Sequence, residues 1–509
     1  MHYLKTFADY LWGSKANLKN LFIFTVLILF ALLGTRDIWT QEHRWAEIVA
    51  GMFYRHDFLH PYLGSQPYYD KPLLSYWLIA LMAKLFNGLN TWSLRIPTAI
   101  AGLIAVFATY HIGRVVHHRH FGYLCAWMLV TTCSFVFWAR VSSTDMMNLA
   151  GVLCAIAWYL SKREHTRFSD YTVFYLIVAV TSLCKGLLGV VLPVLCVFTD
   201  LFLRRDFKSH LNLRNLLALI FACSIYLIPF SLSFYFSEGS YQQNGLYLVY
   251  RENILRYFHP FDHQDAIYIY FIFLPLYLMP WTLFFVPAIM GIKKRWALMS
   301  ADRRWLYCCL LVLFTFFTLS GSRRDYYVLS LIPFAILVTA DYLWSAMATN
   351  QRRIQQAVAL IIISYVMIFA WINIFPAWYS VQYGANRFVA TLKQQADAIM
   401  PWEHWKLITL DAESKDTFYL NLPPHNPNYH IKGNTRSQYR SVEKILTAFP
   451  VLNDPPKNTI FVTRKRYQPY LNQILKNYRL VEVPAWHVIS SANKDDTIAY
   501  LPVNEFTIH

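Results

Sequence analysis

Acids, cations and aromatics gather in a few short segments of an otherwise apolar 509-residue chain. The densest of these runs from Arg36 to Pro72. It carries Gln41-Glu42-His43-Arg44-Trp45-Ala46-Glu47 and closes on Tyr69-Asp70-Lys71-Pro72. On a helix beginning near Thr40, Arg44 and Glu47 share a face at i, i+3 spacing and Gln41 lies about one turn earlier. Such a helix can present an acid, a base and an aromatic to one cleft. A solvated interfacial helix with Trp45 anchored among head groups has the same pattern. Lys71 precedes Pro72 at a helix start and is placed to meet a phosphate as a point charge. The plainer reading of Lys71 is a lysine that snorkels to the membrane surface.

Four further segments carry ionisable groups. Asp145 opens a helix within Ser142-Ser143-Thr144-Asp145, where an acid is also expected as a cap or first-turn residue. Lys185 interrupts a long apolar region between two spans, either as a loop lysine or as a cation facing a lipid phosphate. The stretch from Glu252 to His263 combines Arg256, acids and two histidines ahead of an apolar helix. His263 with a carboxylate could bind a divalent metal, a weak signal without a second histidine at regular spacing. Arg323-Arg324-Asp325-Tyr326-Tyr327 is a cationic, aromatic turn suited to an anionic phosphate.

The elements that must position these residues are membrane helices. A chain that is 56% hydrophobic, 17% aromatic and only 15% charged is too apolar for an ordinary soluble protein. Its net charge of +17 sits in short clusters between apolar spans, a pattern that encodes topology and argues against a nucleic-acid surface. The eight cysteines fall in or at the ends of hydrophobic spans and indicate no disulfide framework. The first apolar run lacks a cleavage-site pattern and reads as a retained helix. Spans are expected at roughly 20–35, 95–114, 121–139, 146–161, 170–184, 187–203, 215–236, 266–290, 304–320, 326–346 and 355–376.

The connecting segments alternate in charge. Lys and Arg concentrate near residues 15–19, 114–119, 162–167, 204–214, 293–304 and 352–353, which the positive-inside rule places in the cytoplasm. That alternation requires the apolar run from Leu73 to Phe86 to stay at one surface. At about 14 residues it covers only about 21 Å of a hydrocarbon core about 30 Å thick, so an interfacial helix is reasonable. The outer set then holds 36–94, Arg140–Asp145, Lys185-Gly186, 237–265, Gly321–Asp325 and everything after about 377. From about 385 to 509 the pattern changes to a helix near Asn386–Met400 and strands at Lys406–Leu410, Thr459–Thr463, Arg479–Val483 and Thr497–Leu501. This reads as a small soluble α/β domain outside the membrane, following a membrane domain over 1–376.

The order of these motifs, with Arg95-Ile96-Pro97, Arg140…Thr144-Asp145-Met146, Cys184-Lys185-Gly186, Glu252…Phe258, Pro280-Trp281 and Tyr327…Pro333 between them, resembles the bacterial branch of the protein O-mannosyltransferase superfamily. That superfamily includes the lipid A aminoarabinose transferases. The resemblance covers about residues 20–345. It implies a polytopic α-helical membrane protein of type C glycosyltransferase fold with about 11–13 transmembrane helices. It further implies the bacterial inner membrane and a polyprenyl-phosphate sugar donor used on the periplasmic side.

By the same resemblance, Glu42, Arg44 and Glu47 fall in the signature helix lining the donor site, and Lys71 matches the lysine near the donor phosphate. Asp70 and His263 resemble positions that can hold a divalent metal. Asp145 matches the second acidic position, and Tyr326 or Tyr327 a tyrosine near the lipid pocket. One residue departs: the family's aspartate at the start of the signature helix is Gln41 here, and an amide cannot act as a base. Glu42, Asp145 or Asp37 would have to take over, unless the acceptor is already ionised. General-base assistance is worth about 10² to 10⁴ in rate, so a hydroxyl acceptor would feel the loss.

The expected function is therefore transfer of a sugar from polyprenyl phosphate to a lipid A-like or protein acceptor. Lys71, with Arg256 or Arg323 and Arg324, would neutralise the phosphate leaving group. Glu42 or Asp145 would orient or deprotonate the acceptor. Gln41, Arg44, Glu47, Lys185, Tyr326 and Tyr327 would line the substrate site. No nucleotide-binding glycine pattern is present, and no nucleotide cofactor is expected. The rival readings are a transporter or lipid flippase, which predicts internal repeats and midplane charges, and a scaffold that has lost catalysis.

Overall fold

The structure, a computed structural model, describes residues 2–39, 42–63, 66–165, 167–237, 245–260, 264–410, 418–420, 430–431, 441–483 and 496–503. Gln41 and His263 lie outside the described residues. The chain divides into two compact units. One comprises Met1–Leu33, Phe58–Pro61 and Pro67–Asn373; the other comprises Gly34–Asp57, Tyr62–Gln66 and Ile374–His509. The stretch 36–94, read from sequence as a single loop of the membrane part, is thus shared between them.

The first unit is built of helices. Leu18–Phe30, Thr91–Val116, Thr144–Lys162, Phe168–Lys185, Leu188–Arg204, Leu213–Tyr235, Ala301–Leu319, Ile332–Thr349 and Gln351–Ile368 lie where apolar runs predict them. Starts are written in local chemistry. The Asn90 side chain accepts from the Trp92 and Ser93 amides and Ser93 returns the bond, closing a capping box, while Asn17 and Asn212 cap in the simpler way. Two expected spans are broken. The 121–139 run is Arg119–Val130 and Cys133–Ala139, bent by 71°. The 266–290 run is Ile269–Tyr277 and Thr282–Met290, parted near Pro280, whose ring supplies no amide for a continuous ladder.

Among the described residues five helices are long and apolar enough to cross a membrane, or six if the bent pair is one span. The others are shorter, like the 13-residue Leu18–Phe30, or carry charge in an end turn, as Ala301–Leu319 carries Asp302. Leu213–Tyr235 exposes Leu216, Leu217, Ile220, Phe221 and Ile228, apolar surface that only lipid would cover comfortably. The protein is a multi-pass membrane protein of largely helical fold with a small sheet domain at its C-terminal end.

The helical unit has two polar ends. At one, Arg163 reaches Asp302 at 2.9 Å, Arg204 reaches Asp200 at 2.9 Å, and Arg303 pairs with Asp341. These arginines come from segments assigned to the cytoplasm by charge. At the other end, Lys185 pairs with Asp145 and Lys71 shares a cavity with Lys185. Thr98 Oγ1 accepts from the Ser143 amide at 3.4 Å, so the first turns of Thr91–Val116 lie at that same end. Lys71 and Thr98 bracket the 12-residue helix Leu74–Leu85, which therefore leaves and returns on one side. Two buried arginines brace this end: Arg95 donates to Leu33 O at 2.8 Å, and Arg140 donates to Leu29 O at 2.7 Å and Ala31 O at 2.9 Å, satisfying the last carbonyls of Leu18–Phe30.

The second unit holds a five-stranded sheet in the order His430–Ile431, Lys406–Leu410, Thr459–Arg464, Thr497–Pro502, Tyr478–Val481. The first two pairings are parallel and the last two antiparallel. Alternation along the strands serves both faces. Leu407, Ile460, Val462, Ala499 and Leu501 pack under Phe388, Val389 and Leu392 of the helix Ala385–Asp397. Ile408, Leu410, Phe461, Ile498 and Tyr500 meet Ile445, Phe449 and Leu471 on the other face. Each such fully buried side chain contributes on the order of 1.5–3 kcal/mol.

Candidate functional site

The cavity at the Lys71 end has a volume of about 320 Å³. Lys71, Lys185, Arg256 and Glu252 give it its charge, and Leu188, Val191, Phe258, Phe316 and Phe317 give it an apolar wall. Four chain segments that are far apart in sequence supply these groups.

Helix ends deliver the first pair. Asp145 lies in the first turn of Thr144–Lys162, and Lys185 is the last residue of Phe168–Lys185. Their side chains form a short ion pair and are 14% and 11% exposed, so the pair is largely removed from water. Lys185 Nζ also sits 5.6 Å from the centre of the Tyr327 ring, within cation–π range. Gly186 has φ of +110°, and a Cβ there would meet the Asn253 amide at 2.8 Å. The chain turns sharply here only because this residue is glycine. Asn253 then accepts from the Leu187 amide at 3.0 Å and donates to Val249 O at 2.7 Å, holding its own segment against the turn.

One residue earlier, Glu252 is buried with its side chain 3% exposed. It accepts from Arg256 Nη1 at 2.8 Å and from Arg251 Nη2 at 3.0 Å. Arg256 also donates to Ser322 Oγ at 3.2 Å, and the Gly321 amide donates to Tyr257 O at 2.8 Å, which fastens the 321–327 turn to the 251–258 segment.

Lys71 donates to the Asp70 carbonyl at 3.1 Å. Burial pushes its ammonium below the usual lysine value; Asp70 and Glu252 oppose the shift, while Arg256 and Lys185 add to it. Lys71 is half-buried at the cavity, with both carboxylates and cations around it, and an entering anion would meet its ammonium directly.

The remaining expected site residues sort by partner. Arg323 is turned to backbone carbonyls, donating to Asp265 O at 2.8 Å and to Ser320 O. Arg324 lies 5.9 Å from the Tyr326 ring, and neither arginine lines the cavity. Of the arginines expected at the phosphate, Arg256 lines the cavity, whereas Arg323 serves the bare carbonyls of its own turn. Tyr326 packs on Trp138 at 5.2 Å, behind Tyr327. In the second unit, Glu42 is fully buried and its carboxylate accepts from the Trp39 amide at 2.7 Å, with Arg36 at 3.8 Å. Arg44 is exposed and Glu47 half-buried on the same helix, Glu42–Arg55. Asp37 accepts from the Ala385 amide at 2.7 Å and so caps Ala385–Asp397. Glu252, Asn253 and Ser322 were missed as site residues. The i, i+4 spacing of Glu252 and Arg256 was the available signal for the first; the other two gave none.

Among the described residues no group of three or more His, Cys, Asp or Glu could hold a metal ion. Asp145 and Glu252 both neutralise cations of the cavity, so the described donor set does not fit a metal, and the expected Asp70–His263 pair rests on a residue outside that set.

A family model described as dolichyl-phosphate-mannose-protein mannosyltransferase matches residues 70–232. The chain is 26% identical over 338 residues to an undecaprenyl phosphate-α-4-amino-4-deoxy-L-arabinose arabinosyl transferase of Shewanella sediminis, covering 64% of this chain and 60% of that one. A transferase of the same description from Pseudomonas aeruginosa is 25% identical over 336 residues, covering 62% and 58%. The match thus spans about 60% of the length of these curated relatives. The fold is similar to the crystal structure of ArnT from Cupriavidus metallidurans bound to undecaprenyl phosphate, with TM-score 0.70, 16% identity, and 95% and 98% of the two chains covered. It is similar at greater remove to an oligosaccharyltransferase of Archaeoglobus fulgidus in complex with Zn and sulfate, with TM-score 0.55, 11% identity, and 91% and 71% covered.

Proposed function

We propose that this chain is an inner-membrane glycosyltransferase of the superfamily that holds the protein O-mannosyltransferases and the aminoarabinose transferases, a reading supported by the family match over residues 70–232 and by its similarity to the aminoarabinose transferases. In this reading it moves a sugar from a polyprenyl-phosphate donor to a lipid A-like or protein acceptor, with the site on the periplasmic side. The observation that carries the reading is the cavity itself: Lys71, Lys185 and Arg256 beside an apolar wall match a phosphate joined to a hydrocarbon chain.

The chemistry asked of these residues is electrostatic. The bond between the anomeric carbon and the phosphate oxygen breaks, the pair of electrons leaves with the phosphate, and the acceptor oxygen bonds to the anomeric carbon. Lys71 and Arg256 stabilise the charge that collects on the leaving oxygen. Glu252 holds the Arg256 fork in place, and Ser322 fixes its other edge. Lys185 and Asp145 form the polar wall where an acceptor is oriented. A hydroxyl acceptor passes its proton to Asp145; an acceptor that is already a phosphate anion requires no base, which suits a chain with Gln41.

The test is transfer by the purified protein in lipid, using labelled polyprenyl-phosphate sugars against lipid A and protein acceptors. The reading expects a labelled acceptor with wild type and loss with Lys71→Ala. Absence of transfer with every donor and acceptor pair, alongside intact folding, would overturn it.

A further inference from the structure

The described polar end opposite Lys71 carries a second cavity, and we propose that it binds an anionic phospholipid. Its volume is about 280 Å³, and it opens among the ends of Thr144–Lys162, Phe168–Lys185 and Leu188–Arg204 beside the short helix Phe207–His210. Asp145 and Lys162 lie at opposite ends of one helix, about 25 Å apart along its axis. This cavity is therefore separate from the donor site.

Its lining changes character with depth. At the helix ends are Lys162, Arg163 and His165, three basic side chains, with Asp170 the acid among them, 3.9 Å from His165 Nδ1. Arg163 is occupied by Asp200 and Asp302. Lys162 has only the Trp158 ring, 5.6 Å away, and among the described residues no carboxylate pairs with it. One to two turns deeper the walls are apolar: Leu201, Phe198, Val197 and Val194 succeed one another along Leu188–Arg204, facing Phe174. Phe198 is 55% and Val194 44% exposed, so the trough opens sideways to the bilayer.

The inner wall is fixed. Tyr171 Oη and His210 Nδ1 share a hydrogen bond at 3.0 Å, Asn212 donates to Tyr171 Oη at 3.2 Å, and Asn215 donates to His210 O at 2.7 Å. These bonds seat His210 beneath the aromatic rings and keep the cavity from collapsing. A cation at the membrane surface above an apolar trough open to lipid fits a phosphate ester with an acyl chain. A water-soluble phosphate would leave the trough unused, and a neutral hydrocarbon would leave Lys162 unused. The basic segments around 162–167 and 204–214 place this end at the cytoplasmic leaflet.

The experiment is native mass spectrometry of the full-length protein in mild detergent, titrated with phosphatidylglycerol or phosphatidylethanolamine. Wild type should retain phosphatidylglycerol at least fivefold better. Lys162→Ala and Phe198→Ser should each lower retention about fivefold, while Lys293→Ala, an exposed lysine on the same side, should not. Should one variant fail to fold, His165→Ala at the exposed rim replaces it. Equal retention of the two lipids, an unchanged Lys162→Ala protein, or complete displacement by glycerol 3-phosphate would each overturn the proposal.

Discussion

Asp145 and Lys185 are 40 residues apart in sequence, yet they meet as an ion pair from the first turn of one helix and the last residue of the next. Each is the other's described charged partner in a largely dry setting, so neither can be removed alone without leaving a buried charge. Asp145→Asn or Lys185→Met alone should lower the transfer rate by about 10². The double variant should lose less than the product of the two. A double-mutant cycle on kcat/KM checks this, and strict additivity would rule out the pairing as a functional unit.

Glu252 acts on Arg256 from a carboxylate that is almost fully buried. Glu252→Gln keeps the shape but replaces the ion pair by a bond from Arg256 to a neutral acceptor, and about 1–3 kcal/mol of local stabilisation is at stake. The expected result is kcat and kcat/KM lowered together by about tenfold, as for loss of an interaction made in the transition state. A raised KM for the donor with kcat unchanged would confine Glu252 to donor binding instead.

Lys71 supplies a pH dependence. Its pKa in the folded chain lies below the ordinary 10.5 because burial disfavours the ammonium. Below the lowered pKa the buried charge costs stability in full. Across the window from that value up to about 10.5 the unfolded chain holds the proton and the folded chain releases it, so stability rises with pH. An anion bound beside Lys71 favours the charged form, so affinity for undecaprenyl phosphate should fall as pH climbs through the lowered value. Lys71→Arg, which stays charged, should flatten that profile below about pH 10.5. Titration of binding across this range decides it; a profile unchanged in Lys71→Arg would assign the dependence elsewhere.

Gly186 is the most constrained backbone position of the site. Alanine there faces both a positive φ and the Asn253 side chain at 2.8 Å. A loss of about 1–3 kcal/mol is expected for Gly186→Ala, read as a lowered Tm. Asn253→Ala in the same chain should recover the clash but not the bond to Leu187. Equal Tm for wild type and Gly186→Ala would mean that the turn does not set Lys185.

Much of this was legible in the sequence. Apolar runs located most of the helices, and alternation located the strands at Lys406–Leu410, Thr459–Arg464, Tyr478–Val481 and Thr497–Pro502 to within a few residues. The charge alternation kept Leu74–Leu85 on one side, which the Ser143–Thr98 bond reproduces in the geometry. Lys71, Lys185 and Arg256 were singled out from the sequence, and they line one cavity. Arg323 and Arg324 were singled out too, but a turn's need for donors to its carbonyls is invisible until the turn is folded. The breaks near residues 131–133 and 278–281 were hidden for another reason: hydropathy averages over a kink and reports one span.

The most direct test of the account is photocrosslinking with a polyprenyl phosphate that carries a reactive group on its first isoprene unit. The account predicts labelling confined to residues beside Lys71 and Arg256, at Leu188, Val191, Phe258 and Phe316, with loss of labelling in a Lys71→Ala, Arg256→Ala chain. Labelling that maps to the Trp158–Phe198 cavity, or that persists unchanged in the double variant, would contradict it.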